Sequence, residues 1–264
     1  MWRLASIVTA IIFGTTCVVA QSSSQPRFVP SLDGDEFETR ERGQGWDMLP
    51  YEITKDAERL VRISPIEKKR YEKLKKAGRF KMVKIFSAPS CASKRYVVDV
   101  SSSDCLVGVD LIRTSFYSFS RGLYGESLAD IRMIEGTLYA GNEGMQHGLV
   151  MDLGPIDPAQ VDMTMSEADG LYRVERATSL DDEVDIRNRL KEGIAVRGKR
   201  VFSSVVLNQG HTYLVRTINY SFVGGSRNIF QQDSLYLIHV AELNKDRTAL
   251  LLWRKLVERP APRL

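Results

Sequence analysis

Hydrophobic and polar positions alternate most cleanly between residues 213 and 257. Leu214, Ile218, Tyr220 and Phe222 alternate with Thr217, Asn219 and Ser221, the period of two that puts one face of a strand in a core and the other in water. In the next stretch Leu235, Leu237 and Leu243 interleave with Tyr236, Ile238 and Val240, so both faces of a second strand are expected to be covered. Leu250, Leu251, Leu252 and Trp253 make a third strand before Arg254 and Lys255 return to water. The polar run Asn244-Lys245-Asp246-Arg247 between the last two is a turn, which makes them a hairpin. These three strands are the expected centre of a sheet.

Shorter apolar runs predict further strands at 81–87, 95–100, 106–112, 116–120, 128–135, 137–140, 148–153, 170–177 and 201–207. Gly136 separates two of them, and Pro155 and Pro158 mark 154–160 as a loop. Helix signals are fewer. Ser64-Pro65-Ile66-Glu67 is a capping box with proline at the first helical position, predicting a helix to about Ala77 with Gly78 as its stop. A shorter helix is expected just before it, over 55–62. Ser179 caps a helix that ends at Gly193, and Asp181, Asp182 and Glu183 fill its first turn, where the helix dipole favours negative charge. The predicted class is α+β, mainly β: an antiparallel sandwich or open barrel over 80–258 with one packed helix, preceded by a short basic helical segment at 51–79 and followed by a tail at 259–264. Alternating strands and helices of a doubly wound nucleotide-binding fold are missing.

The N-terminal pattern is that of a secretory signal over 1–20: Arg3, an apolar core at 4–13, and Val18-Val19-Ala20 before Gln21. That core is too short to span a bilayer, so the expected mature chain is secreted or periplasmic without a transmembrane anchor. Lipidation at Cys17 is the competing interpretation, but Gly14-Thr15-Thr16 fits a lipoprotein signal poorly. Residues 21–50 read as a solvated acidic arm, with Asp33, Asp35, Glu36 and Glu38 crowded together but lacking the spacing of a calcium loop. Cleavage leaves Cys91 and Cys105, an even count that favours one disulfide in an oxidising compartment. A bridge needs Cα atoms within about 7 Å, so it excludes a plain hairpin of 95–100 with 106–112.

Charge changes the picture through its distribution. The whole 264-residue chain carries a net +4, too little to imply nucleic acid. Residues 55–100, however, hold 14 Lys and Arg against 5 Asp and Glu, and residues 101–198 hold 9 against 17. One expectation is that the two stretches face and neutralise each other. The other is that the basic helix, with Lys68, Lys69, Arg70, Lys73, Lys75 and Lys76 around a narrow apolar stripe of Ile66, Tyr71, Leu74 and Ala77, meets an anionic envelope surface or an acidic protein partner.

Catalytic signatures are scarce. The chain lacks His-Glu-x-x-His, Gly-x-Ser-x-Gly, Ser-x-x-Lys and both glycine-rich phosphate motifs, and no cofactor is implied. Of the three histidines, His239 reads as a core residue and His211 as an exposed one. His147 lies in Glu143-Gly144-Met145-Gln146-His147-Gly148, where Glu143 and His147 could form half of an acid–base site, although a hairpin loop is the simpler reading. The sequence therefore favours an exported, non-enzymatic binding or envelope-associated protein whose binding residues are Lys68, Lys69, Arg70, Lys73 and Lys76. The alternative is a small extracytoplasmic hydrolase using carboxylates and His147.

Overall fold

The computed structural model describes residues 54–89, 109–125, 129–141, 146–220 and 231–264. The signal, the acidic arm, Cys17, Cys91, Cys105 and Glu143 lie outside the described residues.

Three short helices come first: α1 (Lys55–Val61), α2 (Pro65–Arg70) and α3 (Glu72–Gly78). Strand β1 (Lys81–Phe86), helix α4 (Val109–Arg113) and strands β2 (Phe116–Ser118), β3 (Leu123–Tyr124), β4 (Ile131–Ile134), β5 (Thr137–Ala140) and β6 (Gln146–Gly154) follow. A 3₁₀ turn at Pro158–Gln160 leads to α5 (Ser166–Tyr172) and α6 (Leu180–Glu192), and then to β7 (Ile194–Val196), β8 (Lys199–Phe202) and β9 (Ser204–Val206). The chain closes with β10 (Thr212–Asn219), β11 (Gln232–Leu243) and β12 (Thr248–Arg259). The fold is mainly antiparallel β in two sheets: one of seven strands in the order β1-β12-β11-β10-β6-β8-β7, and one of five in the order β3-β2-β4-β5-β9.

The three strands expected at the centre are there. Leu214 pairs with Leu237 across β10 and β11, and Ile238 with Trp253 across β11 and β12. Period two sorts their side chains to two cores. Tyr213, Val215, Tyr236, Ile238, Leu251 and Trp253 face the five-stranded sheet, where they pack with Tyr117, Phe119, Ile131 and Leu138. Leu214, Ile218, Leu235, Leu237, Leu250 and Leu252 face the other way, under Leu171 of α5 and Ile186 and Leu190 of α6. The seven-stranded sheet is thus the middle layer, covered on both faces. The sheets approach closely at one point: a Cβ on Gly148 of β6 would fall 1.8 Å from the carbonyl oxygen of Ala140 of β5, so no larger residue fits there.

Several elements correct the sequence reading. Residues 109–112 of the expected strand 106–112 are helical, and the expected strand 170–177 begins as the last turn of α5. Gly170 sits inside that helix because a Cβ there would meet Cγ of Arg197 at 2.6 Å, a packing demand that imitates a helix-breaking signal. The single helix expected at 65–77 is two, offset at Tyr71 (φ −101°, ψ 8°). Arg79, not glycine, takes the left-handed position after α3 (φ 53°), while Gly78 makes room for the Phe80 ring, 2.0 Å from where a Cβ would stand. Residues 201–207 divide between sheets, β8 in one and β9 in the other. Arg254 does not return to water: its Nη1 donates to the Gly78 carbonyl at 3.2 Å, closing the end of α3 where helix carbonyls carry partial negative charge.

Candidate functional site

The capping box at the start of α2 forms as the sequence predicts. Ser64 Oγ accepts from the Glu67 N–H at 3.2 Å and Glu67 Oε2 from the Ser64 N–H at 2.6 Å. The same carboxylate meets Lys84 Nζ of β1 at 2.5 Å, so a cap and a sheet contact share one side chain. Burial works to raise the Glu67 carboxyl, but the Lys84 ion pair and the Ser64 bonds hold it below its ordinary range. Tyr71 and Leu74 pack on the core beneath α5 and α6, Tyr71 Oη reaches Glu242 Oε1 at 3.0 Å, and Arg70 pairs with the same Glu242. The inward side of α2 and α3 is therefore fastened to β1 and β11.

The outward side is different. Lys68, Lys69, Lys73 and Lys75 are exposed, and among the described residues no ion pair reaches them. Of the five predicted binding residues, Lys68, Lys69 and Lys73 point out unpaired, Arg70 is held by Glu242, and Lys76 by Glu72 one turn earlier at 2.6 Å. Ile66, expected in the apolar stripe, is 71% exposed, and Ala77 is exposed as well. Ile66 and Lys69 share one face of α2 at i, i+3 spacing. Among the described residues no ion pair joins 55–89 to 109–198; the part of the expected mutual neutralisation that would involve 90–108 lies outside the described residues.

His147 is not in a loop. It is the second residue of β6 and only 1% exposed. Its Nε2 donates to the Glu183 carbonyl at 2.8 Å, with the Glu183 carboxylate at 3.2 Å, and its Nδ1 accepts from the Tyr220 hydroxyl at 3.0 Å. That hydroxyl in turn accepts the Ala177 N–H at 3.0 Å. Burial pushes the imidazole below its ordinary value, opposed by Glu183 and assisted by Arg187 and Arg216. Both ring nitrogens are hydrogen-bonded within the fold, and the ring is buried. His211 is half-buried rather than exposed and pairs with Asp152 at 3.0 Å, and His239 bonds Thr212 at 3.1 Å. The acidic first turn of α6 is used locally: Asp182 accepts from the Thr178 N–H at 3.1 Å, and Glu183 pairs with Arg187 and with His147.

Beside His147, at the end of the sheet where β10 stops and β11 begins, lies a charged cluster that sequence reading missed. Arg216 and Asp233 are both 0% exposed and joined twice, Nε to Oδ1 at 2.8 Å and Nη2 to Oδ2 at 2.9 Å. Arg216 Nη1 donates to the carbonyls of Leu171 and Val174 at 3.0 and 2.8 Å. Arg259 Nε adds a bond to Asp233 Oδ2 at 2.7 Å, and Arg176 Nη1 stands 3.9 Å from the same oxygen. One signal was present: Arg216 has the parity of Leu214 and Ile218 in an alternating strand, which puts it on their buried face.

A third polar site lies between the sheets. Asp130 is buried, and its carboxyl accepts from the Phe119 N–H (2.7 Å), Ser118 Oγ (3.2 Å), Ser120 N–H (3.4 Å) and Thr217 Oγ1 (2.9 Å). Burial outweighs these bonds and raises its pKa.

No family model, curated protein or solved structure matches the chain. No helix among the described residues is long and apolar enough to cross a membrane.

Proposed function

We propose that this is an exported, non-enzymatic binding protein that docks on an anionic surface through the outer face of α2 and α3. The observation that carries the reading is the division of charge on those helices. Glu67, Arg70, Tyr71 and Leu74 hold the segment to the sheet, while Lys68, Lys69, Lys73 and Lys75 are exposed and unpaired. A self-neutralising surface helix would spend these lysines on neighbouring carboxylates. Here they leave a positive outer face that also exposes Ile66. Export rests on the pattern of Arg3, the apolar core at 4–13 and Val18-Val19-Ala20.

Co-sedimentation of the mature chain with phosphatidylglycerol vesicles, against phosphatidylcholine vesicles and across a salt series, tests the proposal. Each lysine near an anionic surface contributes about 1 kcal/mol. Replacing Lys68, Lys69 and Lys73 together by Gln is therefore expected to weaken binding roughly a hundredfold, and rising salt to do the same. Equal uptake by both vesicle types, or uptake indifferent to salt, would remove the electrostatic basis of the reading.

A further inference from the structure

The Arg216–Asp233 cluster carries more positive charge than its carboxylate balances. Three guanidiniums, from Arg216, Arg259 and Arg176, converge on one carboxylate, so two positive charges are left over. Among the described residues the neighbouring acids are engaged elsewhere: Asp169 with Arg173, Glu175 with Arg189, Glu183 with Arg187 and Glu258 with Lys255. Main-chain carbonyls at the end of α5 accept from Arg216 and Arg259, which satisfies hydrogen bonds but supplies no net charge.

The three arginines are not equivalent. Arg216 is wholly buried with its donors spent inward, whereas Arg176 and Arg259 reach the surface with side chains 35% and 34% exposed. Both stand within 4 Å of Asp233 Oδ2, so they border one mouth. Arg259 uses Nε on Asp233 and Nη2 on the Tyr172 carbonyl at 3.0 Å, and its guanidinium lies 4.0 Å from the Tyr172 ring centroid. Arg176 uses Nη1 on the Pro260 carbonyl at 3.2 Å. Arg259 Nη1 and Arg176 Nε and Nη2 keep donors for a ligand. Planar guanidinium forks match the oxygens of a tetrahedral anion, Asp233 and Tyr172 hold the Arg259 fork while the Pro260 carbonyl holds that of Arg176, and the surplus of two charges suits a dianion over a single carboxylate.

We infer that Arg176 and Arg259, backed by the buried Arg216–Asp233 pair, form a binding site for a phosphate group. The site lies under α5, is built from residues other than the lysines of α2 and α3, and stands whether or not that basic face docks on a surface.

Thermal unfolding of the full mature chain at constant ionic strength, with potassium chloride replaced stepwise by inorganic phosphate or by glycerol phosphate, tests it. A ligand that binds only the folded chain raises the midpoint by mass action, here by roughly 3–6 °C for each tenfold of phosphate above half-saturation. Arg176→Gln is expected to raise the half-saturating concentration at least tenfold, Arg176→Lys to do so less, and Lys69→Gln with Lys73→Gln to leave it unchanged. A response to inorganic phosphate alone identifies a free-phosphate site, and a response to both anions a site that also takes monoesters. Phosphate that acts no differently from chloride would overturn the inference, and so would a phosphate effect lost with Lys69 and Lys73 but kept without Arg176.

Discussion

On the helix-covered face of the seven-stranded sheet, Asp233 meets guanidiniums; on the opposite face, Asp130 meets only uncharged donors. Both carboxyls are buried, and one strand serves both. Adjacent residues of β10 point to opposite faces, so Arg216 goes to Asp233 and Thr217 to Asp130. The difference lies in what each neighbourhood demands. Around Asp233 three guanidiniums converge on one carboxylate. Around Asp130 nothing requires a charge: four donors require acceptors, and a neutral oxygen serves most of them.

The sharpest way to break this comparison is to delete the charge on the helix side. Asp233→Ala leaves Arg216 buried with an uncompensated charge, and breaking a buried ion pair from one side costs about 3–5 kcal/mol. Urea unfolding is expected to register a loss of that size, the largest for any single substitution at these sites. A cost below about 1 kcal/mol would mean that the carbonyls of Leu171 and Val174 are enough for Arg216.

On the inter-sheet side the expected effect is smaller and depends on shape rather than charge. Asp130→Ala strands the Phe119 N–H among others, at about 1–3 kcal/mol for each buried group left unsatisfied. Asp130→Asn keeps an acceptor toward Phe119 and Ser120 and turns its amide to Thr217 Oγ1, which can accept, so the cost is expected to stay under about 1 kcal/mol. Because folding raises this carboxyl, the folded chain holds the proton more firmly than the unfolded one. Stability is thereby lost as pH rises above the ordinary carboxylate range, and the Asn variant should lack that loss. An Asn variant as damaging as the Ala variant would show that a charge is needed there after all.

How far the sequence anticipates this arrangement follows from the same physics. Strands β11 and β12 were legible because apolar residues dominate both faces, β10 by its period of two, although the face expected in water is buried as well, and α6 because Ser179 and its acidic first turn mark a helix start without reference to the rest of the fold. α5 was not legible, since Gly170 answers to Arg197 across the fold and not to its neighbours in sequence. The basic face of α2 and α3 was read residue by residue, yet the pairing of Arg70 with Glu242, 172 positions away, was beyond local pattern. The arginine cluster was hidden for a related reason. A buried, paired arginine and a solvated one are the same letter, and only Asp233, brought alongside by the pairing of β10 with β11, tells them apart.

His147 tests the comparison from within the helix side, through a group held neutral among charges. Its ring faces Glu183 and Arg187 from α6, Arg216 from β10 and the Tyr220 hydroxyl. Burial lowers its pKa in the folded chain, whereas the unfolded ring takes a proton near pH 6.5. Between those two values the unfolded chain binds more protons, so stability is complete above about pH 6.5 and falls as pH drops below it. Half-buried His239, lowered in the same direction, adds to the trend. His147→Gln can still donate to the Glu183 carbonyl and accept from Tyr220, and it does not titrate. Between pH 7 and 5 the variant should lose up to about 2 kcal/mol less stability than the parent, measured as urea midpoints across the range. An unchanged slope would mean that His147 takes its proton without disturbing the fold. The charged side would then be as tolerant as the side that holds Asp130, and the contrast between the two faces would fail at its smallest step.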